Sequence, residues 1–168
     1  MRLARTALLF CLPASLAIGI AGAAQAGTVT VSTNQEDRFT DAGTTPWQRE
    51  ANLRQLSEYL QGLGTQYLAP DRILTVELLD VDLAGEVKPI RSRGFDTRFV
   101  RGNADWPRIV VRYSLKSADG QVVKSGEETV ADMDYLHHVA GYRTTASLPY
   151  EKRMLERWFK ARFVSASD

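Results

Sequence analysis

Cysteine occurs once in 168 residues, at position 11. An intrachain disulfide is thereby excluded, and so is a zinc site built on paired thiolates. Histidine is nearly as scarce: His137 and His138 are adjacent, with no H-x-x-x-H or H-E-x-x-H spacing. The chain also lacks a G-x-S-x-G elbow, an S-x-x-K pair, a Walker loop and a dinucleotide-binding glycine fingerprint. Neither charge sign is in excess, with 21 basic residues against 20 acidic ones. That balance lacks the positive field of a dedicated nucleic-acid binder. Past residue 26 no apolar run is long enough to span a bilayer. With 44% apolar and 24% charged residues, the chain has the composition of a folded domain.

What is present begins with an export signal. Arg2 and Arg5 make a positive start, Thr6 to Ala24 is apolar and small, and Ala24-Gln25-Ala26 offers a small-x-small cleavage site. The expected mature chain therefore starts at Gly27, and residues 27–168 read as one domain destined for the periplasm, without a transmembrane anchor after cleavage. Phe10 stands where a lipoprotein signal needs a small residue, which argues against a lipid on Cys11. Arg2 and Arg5 leave with the signal and no acidic residue does, so the formal charge falls from +1 to −1.

The pattern of the mature chain predicts β-α-β-β-β-α. Thr28 to Ser32 is a β-branched strand. Thr45-Pro46-Trp47-Gln48 combines a cap, a first-turn proline and a capping-box glutamine, and opens a helix to about Tyr67. Leu53, Leu56, Leu60, Leu63 and Tyr67 share one face of it. In Ile73 to Leu83, Leu74, Val76 and Leu78 have one parity and Leu79, Val81 and Leu83 the other, which predicts a bulge near Leu78-Leu79. Two buried faces would give a similar run. Lys88 to Asn103 reads as a long loop or ragged edge strand. Arg108 to Leu115 and Val122 to Tyr135 form a hairpin about Ser117-Ala118-Asp119-Gly120, with a bulge or bend expected at Gly126. Leu148-Pro149 opens a last helix to about Phe163. Trp47, Trp158, Phe159 and Phe163 read as core residues of the helical stripes. The economical fold class is α+β, a two-layer sandwich with two helices on one face of a mainly antiparallel sheet of about four strands.

Four stretches in this order, Phe39-Thr40-Asp41, Asp80-Val81-Asp82-Leu83-Ala84-Gly85, Asp105-Trp106-Pro107-Arg108-Ile109 and Asp132-Met133-Asp134-Tyr135, span nearly the whole mature chain. Their succession resembles the bacterial secreted proteins of domain-of-unknown-function family 3016. The resemblance implies an exported bacterial protein and supplies no activity or site residues.

Two constellations have chemistry to offer. On strands, Asp80 and Asp82 would share a face, and so would Asp132 and Asp134. If all four converged they would suit Ca²⁺, Mg²⁺ or Mn²⁺, and His137 and His138 nearby would favour a transition metal. Plain alternation, with aspartates on the solvated side, accounts for the same pattern. An EF-hand is excluded, because Ala84 and Arg91 stand where oxygen ligands are required. The second constellation is arginine: Arg91, Arg93, Arg98 and Arg101 offer planar forks to an anionic envelope component such as a lipid headgroup, lipopolysaccharide or wall polymer. Pairing with the aspartates is the alternative use of those arginines. Trp106 either closes the end of the core or presents its indole to a ligand. These residues designate no catalytic group and no cofactor, and nucleic acid is not expected as a partner. The expected function is a non-enzymatic binding or envelope-accessory module, with an envelope protein or an anionic envelope component as its partner. A divalent-metal protein using the Asp-x-Asp pairs is the first alternative, and a hydrolase without a recognised motif the second.

Overall fold

The computed structural model describes residues 27–90, 95–102, 104–138 and 147–164. Strand β1, Thr28–Thr33, is followed by helix α1, Pro46–Tyr67, and by strand β2, Ile73–Asp82. A hairpin of β3, Glu86–Ile90, and β4, Phe95–Phe99, precedes the long antiparallel pair β5, Arg108–Lys116, and β6, Val122–Ala131. A single helical turn α2, Tyr135–His138, helix α3, Pro149–Phe159, and a π-helical extension of it, Lys160–Val164, complete the order, with a short 3-10 turn, Glu36–Arg38, between β1 and α1. The main sheet runs β1-β2-β5-β6, parallel between β1 and β2 and antiparallel elsewhere, while β3 and β4 form a separate two-stranded ladder. The fold is α+β, as the pattern of the chain predicts.

Local chemistry explains where α1 begins. The Thr45 hydroxyl accepts from Gln48 N–H, and Pro46 occupies the first turn. The Gln48 side chain reaches Thr44 rather than the cap residue, accepting from its N–H at 3.2 Å. Leu53, Leu56, Leu60 and Leu63 of α1 are buried against Leu74, Val76 and Leu78 of β2 and Ile109 and Val111 of β5. Met154, Leu155, Trp158 and Phe159 of α3 complete that core. Among the described residues no helix is long and apolar enough to cross a membrane.

The expected bulge is present: β2 and β5 are in register from Ile73 to Leu78, slip at Leu79, and resume at Asp80. Several expectations need correction. Trp47 is 74% exposed rather than core, because six residues before Leu53 it falls off the leucine stripe. The region from Lys88 to Asn103, read as a long loop or ragged edge strand, holds the end of β3 and all of β4, which pair with each other rather than with the edge of the main sheet. The β6 strand stops at Ala131, and a turn then leads into α2. Gly126 is in regular register opposite Tyr113, and the slip falls beside Val123 instead. A Cβ at Gly126 would stand 3.1 Å from the Tyr113 hydroxyl, so the glycine makes room for that ring.

Trp158 shows how α3 is held. Its ring packs edge-on against Tyr113, Phe159 and Phe163, and its indole N–H donates to Glu128. Burial works to raise the Glu128 carboxyl, but hydrogen bonds from Tyr113, Trp158 and Arg162 hold it below its ordinary value. Trp158→Ala is expected to destabilise by about 3–5 kcal/mol, the loss typical of a buried aromatic. A denaturant titration measures it, and a change under about 0.5 kcal/mol would mean that α3 is not docked through this ring.

Candidate functional site

The slip at Leu79 decides where the first aspartate pair goes. Before it Leu74, Val76 and Leu78 face the helices, and after it Val81 and Leu83 do. Asp80 and Asp82 therefore lie on the open side of the sheet. There the Asp80 carboxylate accepts from Thr40 N–H at 2.7 Å and from the Thr40 hydroxyl at 2.9 Å. Asp82 pairs with Arg108, its cross-strand partner, at 3.1 Å. On its other flank the chain at Asp41 runs parallel to β2, donating to Val81 O and accepting from Leu83 N–H. Burial pushes the Asp82 carboxyl above its usual range against the pull of Arg108, and Asp41 and Asp80 push the same way.

The turn after β2 is built around one guanidinium. Arg98 Nη2 donates to the Asp41 carboxylate at 2.8 Å, while Nη1 reaches the carbonyls of Leu83, Ala84 and Gly85 at 3.4, 3.3 and 3.1 Å. Beneath the turn, Glu151 of α3 is 2% exposed and accepts from Ala84 N–H at 2.8 Å. Gly85 follows at φ +87°, with Phe99 O only 2.5 Å from where a Cβ would stand, so no other residue fits. Gly85 N–H then donates to Asp105 O at 2.8 Å. The Asp105 carboxylate accepts from Arg101 N–H and from the Tyr135 hydroxyl, which itself accepts from Gly102 N–H. Burial and the bond to Asp105 push the Tyr135 phenol up to about 12.

Over this network lies a half-open cleft of about 410 Å³. Asp41, Asp82, Asp105, Glu86, Arg101 and Trp106 supply its chemistry. The four stretches that carry the family resemblance thus meet at one place: Thr40-Asp41 on β2, Asp82 to Gly85 in the turn, Asp105 and Trp106 on the wall, and Tyr135 behind Asp105. A family model described as "Protein of unknown function (DUF3016)" matches residues 27–161. The chain belongs to that family. No curated protein and no solved structure matches it. For this DUF3016 member the cleft is accordingly the candidate site on geometry alone.

The remaining sequence candidates fall elsewhere. Asp132 and Asp134 lie beyond the end of β6 and do not share a strand face: Asp132 is buried and Asp134 exposed. Alternation from Val130 turns Asp132 toward the helices, where it accepts from Arg157 at 3.2 Å and lies 2.8 Å from His138 Nδ1. Asp134 sits 2.5 Å from His137 Nδ1. Asp132 is therefore on the opposite face of the sheet from Asp80 and Asp82, with β5 between the strands that lead to them. Among the described residues no three or more His, Cys, Asp or Glu side chains are grouped to hold a metal ion. Arg98 is committed to the turn, Arg101 is exposed at the cleft rim, and Arg91 and Arg93 lie outside the described residues. Sequence reading did not single out Glu151, whose only signal is a carboxylate in the first turn of α3.

Two expectations follow from this geometry. Glu151 is pushed above its ordinary value by burial, so its carboxyl ionises at a higher pH in the folded chain than in the unfolded one. The fold should then lose stability as pH rises from about 4.5 through that raised value. Glu151→Gln keeps an acceptor for Ala84 N–H without the buried charge, and should raise stability at pH 7 and flatten that part of the profile. Glu151→Ala orphans the amide at a cost of about 1–3 kcal/mol. Urea titrations of both variants from pH 4 to 8 check the order, which would be reversed if the charge were stabilising. For the aspartates, Ca²⁺, Mn²⁺, Zn²⁺ or EDTA should leave the melting temperature unchanged. A rise with any of these cations that EDTA reverses would show that the aspartates do bind metal.

Proposed function

We propose that this protein is exported to the periplasm and acts there as a non-enzymatic binding module, with the cleft above the β2 turn as its ligand site. The observation that carries the reading is the meeting of four separated stretches around one half-open cleft. Its polar groups are engaged in fixed roles: Asp82 with Arg108, Asp41 with Arg98, and Asp105 with Tyr135. Preorganised acceptors of this kind lose little freedom when a ligand binds. Among the described residues, the cleft lining holds no serine, threonine, cysteine or histidine to serve as a nucleophile or its activating base. The indole of Trp106 offers an apolar plane beside these acceptors, and Arg101 adds a donor fork. That combination suits a hydroxyl-rich envelope component, with the ring plane on the indole and the hydroxyls on the carboxylates.

The test uses the protein secreted with its own leader. Its intact mass should correspond to a chain starting at Gly27, and a full-length product held in the membrane would overturn the export reading. Calorimetric titration with soluble wall-glycan fragments and with lipopolysaccharide core oligosaccharide should show saturable binding to one of them. Trp106→Ala should weaken that binding by about tenfold or more, a loss of about 1.4 kcal/mol. No heat from either ligand, or equal affinity in the variant, would remove the cleft as the binding site.

A further inference from the structure

The outer edge of β6 lies away from the cleft and has its own groove. β6 ends the sheet order β1-β2-β5-β6, and among the described residues no strand pairs with its far side. Its bonding phase is readable from the ends of the β5·β6 ladder. Asp132 N–H donates to Pro107 O at 3.3 Å, and Ser117 N–H donates to Gln121 O at 3.0 Å. Antiparallel alternation from the Asp132 end directs the backbone groups of Gly126, Glu128 and Val130 toward β5. Those of Ser125, Glu127, Thr129 and Ala131 point outward, and all four residues are exposed. Four N–H groups and four carbonyls at strand spacing form a template that a polypeptide backbone matches.

Beside this edge runs an open groove of about 570 Å³ between β6 and α3. Val130, Met154, Trp158 and Ala161 give it an apolar lining, and Met133 at its end is 71% exposed. The arginines on its helix lip are already occupied, Arg157 with Asp132 and Arg162 with Glu128. Along the edge Glu127 is 53% exposed and shares Arg112 with Glu77, so that these three side chains keep one net negative charge, while Asp134, 63% exposed, lies beside His137.

We propose that β6 accepts an extended segment of another polypeptide as a fifth strand, laid in the groove against α3. The backbone template sets the binding mode, and the groove sets the pattern. Side chains opposite Glu128 and Val130 turn toward Trp158 and Met154 and are apolar, while the one opposite Glu127 is lysine or arginine. This site is separate from the cleft, so either can fail without the other.

The test begins with the free protein. Amide exchange at Glu127, Thr129 and Ala131 should be fast, whereas Glu128 and Val130 are protected, and protection of the outward set would mean that the edge is already covered. A displayed library of random seven-residue peptides is then selected on the mature protein. Enriched peptides should carry two apolar residues at alternate positions next to a basic one, and synthetic copies should quench or shift Trp158 fluorescence. Thr129→Pro removes an outward N–H without breaking a β5 bond, and should cut the affinity of those peptides at least tenfold. Ala131→Pro makes the same test should the first variant fold poorly, and Glu127→Lys should disfavour the basic peptides. A library that yields no enrichment, or peptides that bind both proline variants as tightly as wild type, would overturn the proposal.

Discussion

One extra residue in β2 governs the functional end of this molecule. A strand sends alternate side chains to opposite faces, so the insertion of Leu79 exchanges the faces of everything after it. Val81 and Leu83 continue the apolar wall over the helices, and Asp80 and Asp82 stand clear on the other side. Without the slip, two carboxylates would point into the leucines of α1, an environment that opposes ionisation. The slip also bends the end of β2 to where the chain at Asp41 can run beside it.

That placement leaves charges at the rim of the core that must be satisfied. Arg98, Arg108 and Thr40 satisfy the aspartates, and the carbonyls of the turn share Arg98 with Asp41. Glu151 is the costly member, since it is buried beneath the turn, where it accepts from Ala84 N–H, and its carboxyl is raised by that burial. A polar network held under a turn in this way fixes the turn rather than adding much stability. Rigidity of the turn serves the cleft above it, because acceptors already in place lose little entropy when a ligand arrives.

Level with one another in the sheet, the end of β2 and the end of β6 therefore present different chemistry. At the β2 turn the backbone is tied up by side chains, and carboxylates, an arginine and an indole line the cleft. Along β6 the side chains of α3 neutralise their own neighbours, and the backbone itself is what is offered. The cleft and the β6 edge thus draw on different groups of the same sheet, side chains in one case and backbone in the other.

Much of the fold was legible because it depends on short-range periodicity. The leucine spacing of α1, the cap at Thr45, the parity change at Leu79 and the turn at Gly120 each reflect the geometry of a few consecutive residues. Trp47 and Gly126 were misjudged where a residue's type suggested a role that its position denied: one falls off the helical stripe, and the other yields space to a ring thirteen residues earlier in the chain. A loop or ragged edge strand was all that could be read where β3 pairs with β4, because neither strand alternates cleanly and each depends on the other to form. The site was legible only as separate tetrapeptides. Whether Asp80 and Asp82 met Asp132 and Asp134 depended on strand order and face, which place β5 between the pairs and turn Asp132 toward the helices. The sequence by itself determined the elements, the phase change and the residue types available. Tertiary structure alone decided which carboxylates share a cleft, which arginine closes the turn and which strands stand at the edges of the sheet among the described residues, because those depend on pairings between residues far apart in the chain.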